Sequence, residues 1–434
     1  MRLSNYIKIF PYHEEPGYLL LYSTKRASTA LVPESVLKDI KDGSLEPSDA
    51  DTLFELGFLV NDPDEEMNEA LCSIDTANKE RTVFSAVVVM NLDCNLSCTY
   101  CYEGKMKGKL YMSHDTADVL IDFTEDRYLV KGKNVHFDFY GGEPLLSYEL
   151  VRDISERLKS SAEKRGLTYT FNIVTNGTLL TVERAKELAS LGLLDARITI
   201  DGLRESHDRF RPFKSGAGSF ETIIKNIKNA CENIGIQIGG NYTQENFKEL
   251  PLLLDYLLDQ GITPDKISHV KFDPVTQTRN EVALPDFRDG AESINEPWVY
   301  EASLFLREEI MKRGFQTLRI MPSPCMVENE DDIVINYDGT FYKCPALIGW
   351  QGFEAGDLQR GIMNYSKSHR LDIWKKRECL ECAYLPICYG GCRFMKLLRD
   401  GKIDNVDCRK PYLDATLEIF ILQDMKYMPE SDNG

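Results

Sequence analysis

The sequence predicts an α/β protein built around a partial (β/α)6 barrel of the TIM-like type. From Val83 onward, short apolar runs alternate with amphipathic stretches, a pattern typical of parallel strands joined by crossover helices. The strand-like runs end in polar or glycine-rich residues, and ligands bind at the carboxyl ends of such strands. A complete barrel needs about 250 residues, whereas the stretch 83–310 fits six units better, so we expect an incomplete barrel.

Individual elements of the barrel can be assigned from hydrophobic periodicity. The strand candidates are VFSAVVVMNL, VHFDFYGGEP, TYTFNIVTNGT, LDARITIDG and GIQIGGNYT. The helix candidates between them are ADVLIDFTEDRYL, YELVRDISERLKSSAEK and VERAKELASLG, and DATLEIFILQDM near the end of the chain predicts a closing helix.

Residues 1–66 are predicted to form a separate small domain. Two strands over 18–22 and 29–32, two short helices ending near Gly43 and Gly57, and the wing-like FLV suggest a winged-helix-like, peptide-binding module. The alternative is that residues 1–66 form an N-terminal extension without a binding function. The segment 67–82 is acidic without a sustained period, so we expect a linker or a frayed helix there.

Composition narrows the functional classes. The net charge of −18 argues against a nucleic-acid partner, since such proteins present a basic face. The sequence contains no apolar run of the roughly 20 residues that a membrane span needs. The start MRLSNYIKIF is short and polar for a secretion signal, so we expect a cytoplasmic protein. In that compartment, 12 cysteines are more consistent with metal ligands than with disulfides.

The most specific motif is MNLDCNLSCTYCYEG, in which Cys94, Cys98 and Cys101 are spaced C-x3-C-x2-C after an apolar strand. Three thiolates hold three irons of a 4Fe–4S cluster and leave the fourth iron free. Zinc sites and ferredoxins supply a fourth ligand nearby, yet no further cysteine occurs before Cys231. The motif resembles the signature of radical S-adenosylmethionine (SAM) enzymes.

The end of the next strand reads GGEP, with Gly141, Gly142 and Glu143. Two glycines allow the backbone to approach a ligand closely, and Glu143 is predicted to pair with a positive group. The alternative is a tight turn in which Glu143 only caps the following helix.

Further candidates for SAM binding follow later strands. We expect Asn176 and Asp201 to bind the ribose or the methionine carboxylate, with plain turn chemistry as the alternative. Arg211 is the predicted partner of that carboxylate, unless it forms a surface salt bridge. Tyr100 is expected near the adenine, or in buried packing. His207 is expected to be a structural hydrogen-bonding residue, and Asn241 and Tyr242 are further candidates.

A second set of cysteines occupies the C-terminal region 311–434. Its order, C-x13-G-x4-C, then C-x2-C-x5-C-x3-C, then C, resembles the SPASM domain of radical SAM enzymes, although C-x2-C pairs also occur in zinc sites. With the earlier motifs, the resemblance covers residues 83 to about 412. It is most similar to maturases of ribosomally made peptides, possibly of the geopeptide type, and residues 1–66 resemble their leader-peptide recognition domains.

The resemblance implies two auxiliary 4Fe–4S clusters, and therefore three clusters in all. The distal cluster would be held by Cys379, Cys382, Cys388 and Cys408. The cluster nearer SAM would be held by Cys325, Cys344 and Cys392. Because eight ligands are needed and seven cysteines are present, one iron is expected to be open, or to be held by Asp331 or Glu328. An open iron would bind a substrate cysteine.

The resemblance also implies the reaction. A one-electron reductant of the flavodoxin or ferredoxin type drives SAM cleavage to a 5′-deoxyadenosyl radical, and the radical takes a hydrogen from a precursor peptide bound through its leader. A thioether crosslink is favoured, with carbon–carbon crosslinking or another oxidation as alternatives. Formylglycine formation is disfavoured because Pro345 stands where sulfatase-maturing relatives have an acidic residue. A non-catalytic metal scaffold is the least favoured interpretation.

Overall fold

The computed structural model describes residues 1–278 and 287–427, without the side chain of residue 105, and divides the chain into two compact units. The barrel unit comprises Arg81–Leu318 and Glu330–His369. The terminal unit comprises Met1–Glu80, Arg319–Asn329 and Arg370–Gly434. The C-terminal region 311–434, expected as one domain, is therefore divided between the two units.

The barrel unit is built on a parallel sheet. Five of its strands are those expected from the sequence, and a sixth, β11, follows them. Strands that are neighbours along the chain pair in parallel, which gives five pairings among the six. The six strands are β6 (Val83–Asn91), β7 (Asn134–Gly141), β8 (Tyr169–Thr175), β9 (Leu193–Thr199), β10 (Gly235–Tyr242) and β11 (His269–Pro274).

The helices of the barrel unit lie between these strands and after the last one. Alternate strand residues such as Phe137, Phe171 and Ile198 are fully buried, as the period of two in a half-buried strand requires. The helices are α4 (His114–Arg127), α5 (Tyr148–Glu163), α6 (Val182–Leu191), α7 (Arg204–Phe210), α8 (Phe220–Ala230), α9 (Leu250–Asp259) and α10 (Pro297–Lys312).

Four short strands extend the sheet on the other side of β6. The first pairs in parallel with β6, and the rest continue as antiparallel neighbours. Ile333, Val334 and Ile335 are fully buried, so this extension covers the sheet edge that the incomplete barrel leaves open. The strands are β12 (Asp332–Ile335), β13 (Thr340–Tyr342), β14 (Gly356–Asp357) and β15 (Gly361–Ile362).

The terminal unit begins with two small sheets, whose orders are β1-β5 and β2-β3-β4. The strands predicted over 18–22 and 29–32 form and pair antiparallel, and FLV supplies the short β5. β1 and β2 have no clear signal in the sequence. The strands are β1 (Arg2–Leu3), β2 (Ile7–Pro11), β3 (Tyr18–Ser23), β4 (Thr29–Pro33) and β5 (Leu59–Val60).

The helices of the terminal unit include one that replaces an expected linker. The acidic segment 67–82 lies mostly within α3, an 18-residue helix whose buried Ala70 and Ile74 face a cluster containing Tyr6 and Trp374. Tertiary packing thus stabilises a weakly periodic stretch. The helices are α1 (Ser35–Asp42), α2 (Pro47–Glu55), α3 (Pro63–Glu80), α11 (Arg377–Leu380), α12 (Leu385–Cys388), α13 (Arg393–Asp400) and α14 (Lys410–Tyr427).

Hydrogen bonds join the N-terminal residues to the C-terminal cysteine region inside the terminal unit. The Tyr6 hydroxyl donates to the Leu380 carbonyl at 3.0 Å, and the Thr24 hydroxyl donates to the Ala383 carbonyl at 2.5 Å. Both acceptors lie next to predicted cluster cysteines. None of the helices in the described part of the chain is both long and apolar enough to cross a lipid bilayer.

Candidate active site

The loop that carries Cys94, Cys98 and Cys101 is fixed at its start by Asp93. One carboxylate oxygen of Asp93 accepts hydrogen bonds from the Cys94 backbone N–H at 2.9 Å and from Lys214 Nζ at 2.8 Å. The other accepts from the Tyr111 hydroxyl at 2.6 Å. These bonds, from Lys214 first and then Tyr111, hold the pKa of Asp93 below its usual range. The first turn of the loop is therefore held by one carboxylate.

The three loop thiols form no disulfides and lie in a poorly hydrated setting. Burial raises the pKa of the Cys94 thiol to about 11 and also raises the pKa of Cys98. Lys107 donates a hydrogen bond to Cys101 and interacts electrostatically with the other two thiols. Beside the loop is an open cavity of about 230 Å³, lined by Leu96, Ser97, Cys98, Cys101, Gly104, Lys107 and Lys214.

The thiols of Cys94, Cys98 and Cys101 suit a 4Fe–4S cluster better than a single metal ion. Within residues 1–278 and 287–427, no three His, Cys, Asp or Glu side chains converge to hold one metal ion. A 4Fe–4S cluster takes one thiolate per iron, so its cysteines do not need to meet at one atom. Unpaired thiols beside a cavity and a cation that compensates thiolate charge are what such a cluster requires.

Gly141 and Gly142 of the GGEP motif allow the end of β7 to pack closely against Asn91 and Asp93. A Cβ atom on Gly141 would lie 2.3 Å from the Asn91 carbonyl oxygen, and one on Gly142 would lie 2.1 Å from that of Asp93. The Gly142 N–H donates to the Asn91 carbonyl at 3.0 Å, and the Glu143 N–H to that of Asp93 at 2.8 Å. Only glycine permits this approach, which fixes the end of β7 against the start of the cysteine loop.

Glu143 acts as a capping residue, as the alternative interpretation of GGEP expected. Its carboxylate is fully buried and accepts hydrogen bonds from the Leu145 N–H at 2.9 Å, the Asn176 N–H at 2.8 Å and the Thr175 hydroxyl at 2.8 Å. Burial raises the pKa of Glu143, and these N–H donors oppose that rise. The carboxylate caps the 3-10 helix Pro144–Ser147 and ties β7 to β8, and its pairing with a positive group stays a prediction.

Asn176 connects β8 to the cysteine loop. Its Nδ2 donates to the Asn95 side chain at 2.8 Å and lies 3.7 Å from Cys94 Sγ. Its Oδ1 accepts from the Thr178 N–H at 2.9 Å. The structure therefore combines turn chemistry with a contact to the cluster loop at this residue.

Four predicted residues meet in one buried polar network. The Tyr100 hydroxyl donates to Asp201 and accepts from Arg211 Nη1 at 3.0 Å and from Asn241 Nδ2 at 3.1 Å. The Asn241 N–H donates to Asp201 at 2.8 Å. The network joins the cysteine loop to the ends of β9 and β10 and to α7. Burial raises the pKa values of Tyr100 and Asp201.

Arg211 is the member of this network that retains a free donor. Its side chain is buried, which excludes the alternative of a surface salt bridge, and its Nε has no hydrogen-bond partner. It interacts electrostatically with Cys98 and Asp201. A buried guanidinium donor without an acceptor is costly unless a ligand supplies one.

The remaining candidates are structural. His207 accepts from the Asp201 N–H at 3.2 Å and contacts the Ser219 hydroxyl at 3.0 Å, so its predicted hydrogen-bonding role is confirmed. Burial, followed by the charge of Arg211, lowers the pKa of His207 to about 3. Tyr242 belongs to an apolar cluster with Phe247 and Leu250. The Tyr100 ring lies 6.0 Å from that of Phe287.

The C-terminal cysteines lie mostly in the terminal unit. Burial raises the pKa of Cys379 to about 11, and its thiol also interacts electrostatically with the three other cysteines of the predicted distal set, Cys388, Cys382 and Cys408. Cys325 likewise interacts with Cys392. Cys344 lies in the barrel unit. Cys72 is exposed, and Cys231 directly follows α8 with its thiol partly buried.

Both carboxylates considered as a fourth ligand of the nearer cluster already have cationic partners. Glu328 is 2% exposed and forms an ion pair with Arg393, which is 3% exposed. Asp331 pairs with Lys133 in the barrel unit. The expectation that one of them coordinates iron is therefore disfavoured, because releasing either would leave its partner unpaired.

Several residues of the site were missed in the sequence. Asn91, Asp93 and Lys107 flank the three cysteines, and Asn95 accepts a hydrogen bond from Asn176 in a neighbouring loop. Their position next to the cysteine motif could have marked them as candidates, because each is a polar residue at a strand end or in the loop itself. Lys107 contacts a cysteine of the same loop, whereas Asn91, Asp93 and Asn95 have partners 52, 121 and 81 residues away, so adjacency alone does not assign their roles.

The site agrees with comparisons to known proteins. Residues 88–256 match the description of the Radical SAM superfamily. Residues 88–256 therefore form a radical SAM domain. Its relatives include peptide-modifying members, consistent with the radical SAM/SPASM peptide maturases.

Three curated relatives illustrate the range of similarity. Fe-coproporphyrin III synthase of Methanosarcina barkeri is 32% identical over 41% of this chain, which spans only 42% of that protein. The serine-type anaerobic sulfatase-maturating enzyme of Bacteroides thetaiotaomicron is 25% identical over 69% of this chain and 80% of the relative. The PqqA peptide cyclase of Bradyrhizobium diazoefficiens is 24% identical over 72% and 82%, respectively.

Solved structures share the fold. The structure of anSMEcpe with bound AdoMet and the Cp18Cys peptide is 19% identical, covers 79% of this chain and 97% of its own, and has a TM-score of 0.60. SuiB of Streptococcus suis bound to the precursor peptide SuiA is 15% identical, covers 94% and 98%, and has a TM-score of 0.54. These similarities establish the α/β radical SAM fold.

Proposed function

We propose that this protein is a radical SAM oxidoreductase that modifies a ribosomally made precursor peptide, with a thioether crosslink between a cysteine sulfur and a carbon as the favoured product. The observation that carries the proposal is the convergence of the cysteine loop with the ends of β7, β8, β9 and β10 around unpaired thiols and the unpartnered Nε of Arg211. The known action of relatives on peptides supports the substrate class.

Cys94, Cys98 and Cys101 are assigned to the SAM-binding 4Fe–4S cluster. When bound there, the cluster and SAM supply a 5′-deoxyadenosyl radical that takes a hydrogen atom from a peptide carbon. Lys107 offsets thiolate charge at the loop, since a buried cation stabilises nearby anions. Asp93 and the two glycines hold the loop rigidly, so the bound groups keep one orientation.

Arg211 is assigned to the carboxylate of SAM. Its free Nε donor satisfies a carboxylate in a buried setting, where a charge-assisted hydrogen bond is strong. Tyr100, Asp201 and Asn241 fix the guanidinium through the shared hydroxyl and offer further polar atoms to the nucleoside. Gly141, Gly142, Glu143 and Asn176 contribute by holding the strand ends together.

The C-terminal cysteines are assigned to two auxiliary 4Fe–4S clusters. The mutual interactions of Cys379, Cys382, Cys388 and Cys408 support the distal set. Cys325, Cys392 and Cys344 are assigned to the nearer set, whose fourth position remains open because Glu328 and Asp331 are paired. An open position suits a sulfur ligand, which favours thioether chemistry.

Residues 1–66 are assigned to leader-peptide recognition, with a flavodoxin- or ferredoxin-type reductant and a cytoplasmic location completing the proposal. Two short strands and two helices in the same chain as the cysteine loop would keep the bound leader tethered to the enzyme. Tethering of this kind raises the effective concentration of the core peptide.

Anaerobic reconstitution tests the proposal. With SAM and dithionite, the wild-type protein is expected to produce 5′-deoxyadenosine, and Arg211→Met is expected to raise the KM for SAM with a smaller effect on kcat. Arg209→Met, an exposed arginine two residues away, is the matched control. Absence of 5′-deoxyadenosine from the iron-loaded wild-type protein would refute the proposal.

Product analysis separates thioether formation from carbon–carbon crosslinking, the second candidate that the PqqA peptide cyclase similarity favours. The enzyme is expressed with each short cysteine-containing peptide encoded beside its gene, and the products are mapped by mass spectrometry. A thioether consumes a free thiol, whereas a carbon–carbon link leaves every cysteine able to react with iodoacetamide.

A further inference from the structure

The inner face of strand β9 carries Arg197, a cation outside the network that is assigned to SAM. The fully buried Ile198 faces the helical layer, because a Cβ atom on Gly177 would lie 2.9 Å from Ile198 and 3.3 Å from Ile223 of α8. Successive side chains of a strand point to opposite faces of the sheet. The side chain of Arg197 therefore points to the inside of the barrel.

Arg197 belongs to a row of half-buried polar side chains that crosses the barrel. It pairs in register with Gln237 of β10, and Gln237 pairs with His269 of β11. Arg197 also interacts electrostatically with His269 and, on the other side, with Tyr140 of β7. Since β7 and β11 are each two strands away from β9, the guanidinium lies in the barrel interior between them.

This row lies beneath the cysteine loop. The Tyr140 hydroxyl shares a hydrogen bond with the hydroxyl of Tyr102, which directly follows Cys101. Asp201, a member of the network assigned to SAM, comes four residues after Arg197, which corresponds to about 13 Å along an extended chain. A peptide that enters the barrel past the cysteine loop would therefore bring side chains next to the reacting carbon to the level of Arg197.

The barrel supplies no counterion to this guanidinium. In the part of the chain that the structure describes, Arg197 forms no hydrogen bond and no ion pair. A partly buried donor group without an acceptor is costly, so a ligand that supplies one would bind here favourably. The acidic residues at neighbouring inner positions already have donors of their own: Asp138 has Asn172 at 3.1 Å, Asp195 has the Ser268 hydroxyl at 2.5 Å, and Asp273 has Lys271 at 2.8 Å.

We propose that Arg197 binds a carboxylate of the core peptide and thereby selects peptides with an acidic group close to the modified carbon. The inference rests on the proposed function, because it takes the barrel interior as the place where the peptide reacts. A guanidinium holds a carboxylate through two parallel hydrogen bonds, and the amide of Gln237 beside it is a further donor. The carboxylate belongs either to an aspartate or glutamate side chain or to the C-terminus of the peptide. Arg197 thus determines specificity without touching the reacting atoms.

The test uses the reconstituted full-length protein with SAM and each short cysteine-containing peptide encoded beside its gene. Each peptide is synthesised in its natural form, with single aspartates or glutamates exchanged for the corresponding amide, and with an amidated C-terminus. Arg197→Met removes the guanidinium, and Arg197→Lys keeps the charge without the planar fork. Arg127→Met, at an exposed arginine that ends α4, is the matched control. Calorimetry measures peptide binding, and dithionite-driven turnover gives KM and kcat for the peptide.

Removal of one particular carboxylate is expected to weaken binding to the wild-type protein about tenfold and to raise KM more than it lowers kcat. Arg197→Met should bind the natural peptide about as weakly and should no longer distinguish it from the amide form, because the two groups act as one pair. Arg197→Lys should keep part of the discrimination. An effect of a side-chain exchange identifies aspartate or glutamate as the source, whereas an effect of amidation alone identifies the C-terminus.

The inference is overturned if no peptide binds the wild-type protein in a carboxylate-dependent way, or if Arg197→Met distinguishes acid from amide as strongly as Arg127→Met does. The peptide exchanges are made against the wild-type protein, so a variant that fails to fold does not block the test. Failure of the proposed function has a different signature. In that case dithionite yields no 5′-deoxyadenosine from the wild-type protein, while calorimetry still reports whether Arg197 and a peptide carboxylate interact.

Discussion

The loop cysteines (Cys94, Cys98, Cys101) and the distal cysteines (Cys379, Cys382, Cys388, Cys408) are held in different ways. The loop lies in the barrel unit, where strand ends, glycine contacts and Asp93 fix three thiols beside an open cavity. The distal set lies in the terminal unit, where the Cys379 thiol interacts electrostatically with the other three and packs against a cluster that includes Tyr6 and Trp374.

The difference separates two chemical tasks. Three thiols beside a cavity leave one iron position for a substrate, whereas four thiols saturate a cluster and suit it to electron transfer or structure. The cavity and the free Nε of Arg211 occur at the first site. We infer that SAM chemistry depends on the loop and that the distal set supports the peptide reaction.

The largest effect is expected from exchanging a cysteine at each site. Cys98→Ser should reduce SAM cleavage to background, because the loop then keeps only two thiolates. Cys382→Ser should retain SAM cleavage while losing about a third of the iron, one cluster of the three proposed, and should form no peptide product. Iron assays and 5′-deoxyadenosine quantification measure both. Loss of SAM cleavage in both variants would abolish the distinction between the sites.

The next largest effect is expected on the free energy of unfolding, when the buried ion pair between Glu328 and Arg393 is broken. Arg393→Met leaves Glu328 buried without a partner, which should destabilise the protein by about 3–5 kcal/mol. Urea unfolding under anaerobic conditions measures the change. Arg377→Met removes an exposed pair with Glu381 and should leave the free energy of unfolding nearly unchanged. Similar costs in the two variants would contradict the role given to burial.

Gly142→Ala tests the contact that holds the loop cysteines. Its Cβ would meet the Asp93 carbonyl oxygen at 2.1 Å, so the chain must move, at a cost of about 1–3 kcal/mol. Iron bound at the loop should fall, as measured in a variant that lacks the distal cysteines. Gly239→Ala is the control, since the nearest atom to its Cβ is 3.7 Å away. Full iron loading of Gly142→Ala would show that the loop tolerates displacement.

The smallest effect is a pH dependence in the barrel unit. The pKa of His207 is lowered to about 3 in the folded protein, chiefly by burial, so the unfolded chain binds a proton first as the pH falls. Stability is therefore complete above about pH 6.5 and declines below it, by about 2 kcal/mol at pH 5. His207→Gln should flatten this part of the profile. Urea unfolding at pH 7 and pH 5 provides the comparison, and equal slopes in both proteins would contradict the assignment.

Local sequence patterns predicted strands and helices more reliably than they predicted side-chain contacts. The strands after Val83 and the strands over 18–22 and 29–32 formed as expected, because alternating apolar residues record which face is buried. β11 and α3 were not assigned, since neither has a strong period of its own. The radical SAM signature was recognisable from the spacing of Cys94, Cys98 and Cys101, because cluster ligation requires cysteines at short, fixed separations.

The sequence by itself determined most of the barrel strands and the three-cysteine loop of the radical SAM domain, since each depends on residues close together along the chain. Only the tertiary structure decided that Glu143 caps a turn, that Glu328 pairs with Arg393, and that Tyr100, Asp201, Arg211 and Asn241 share one network. These roles depend on partners up to 141 residues away. A buried polar group takes whichever partner the packed chain brings to it, and spacing along the sequence does not encode that choice.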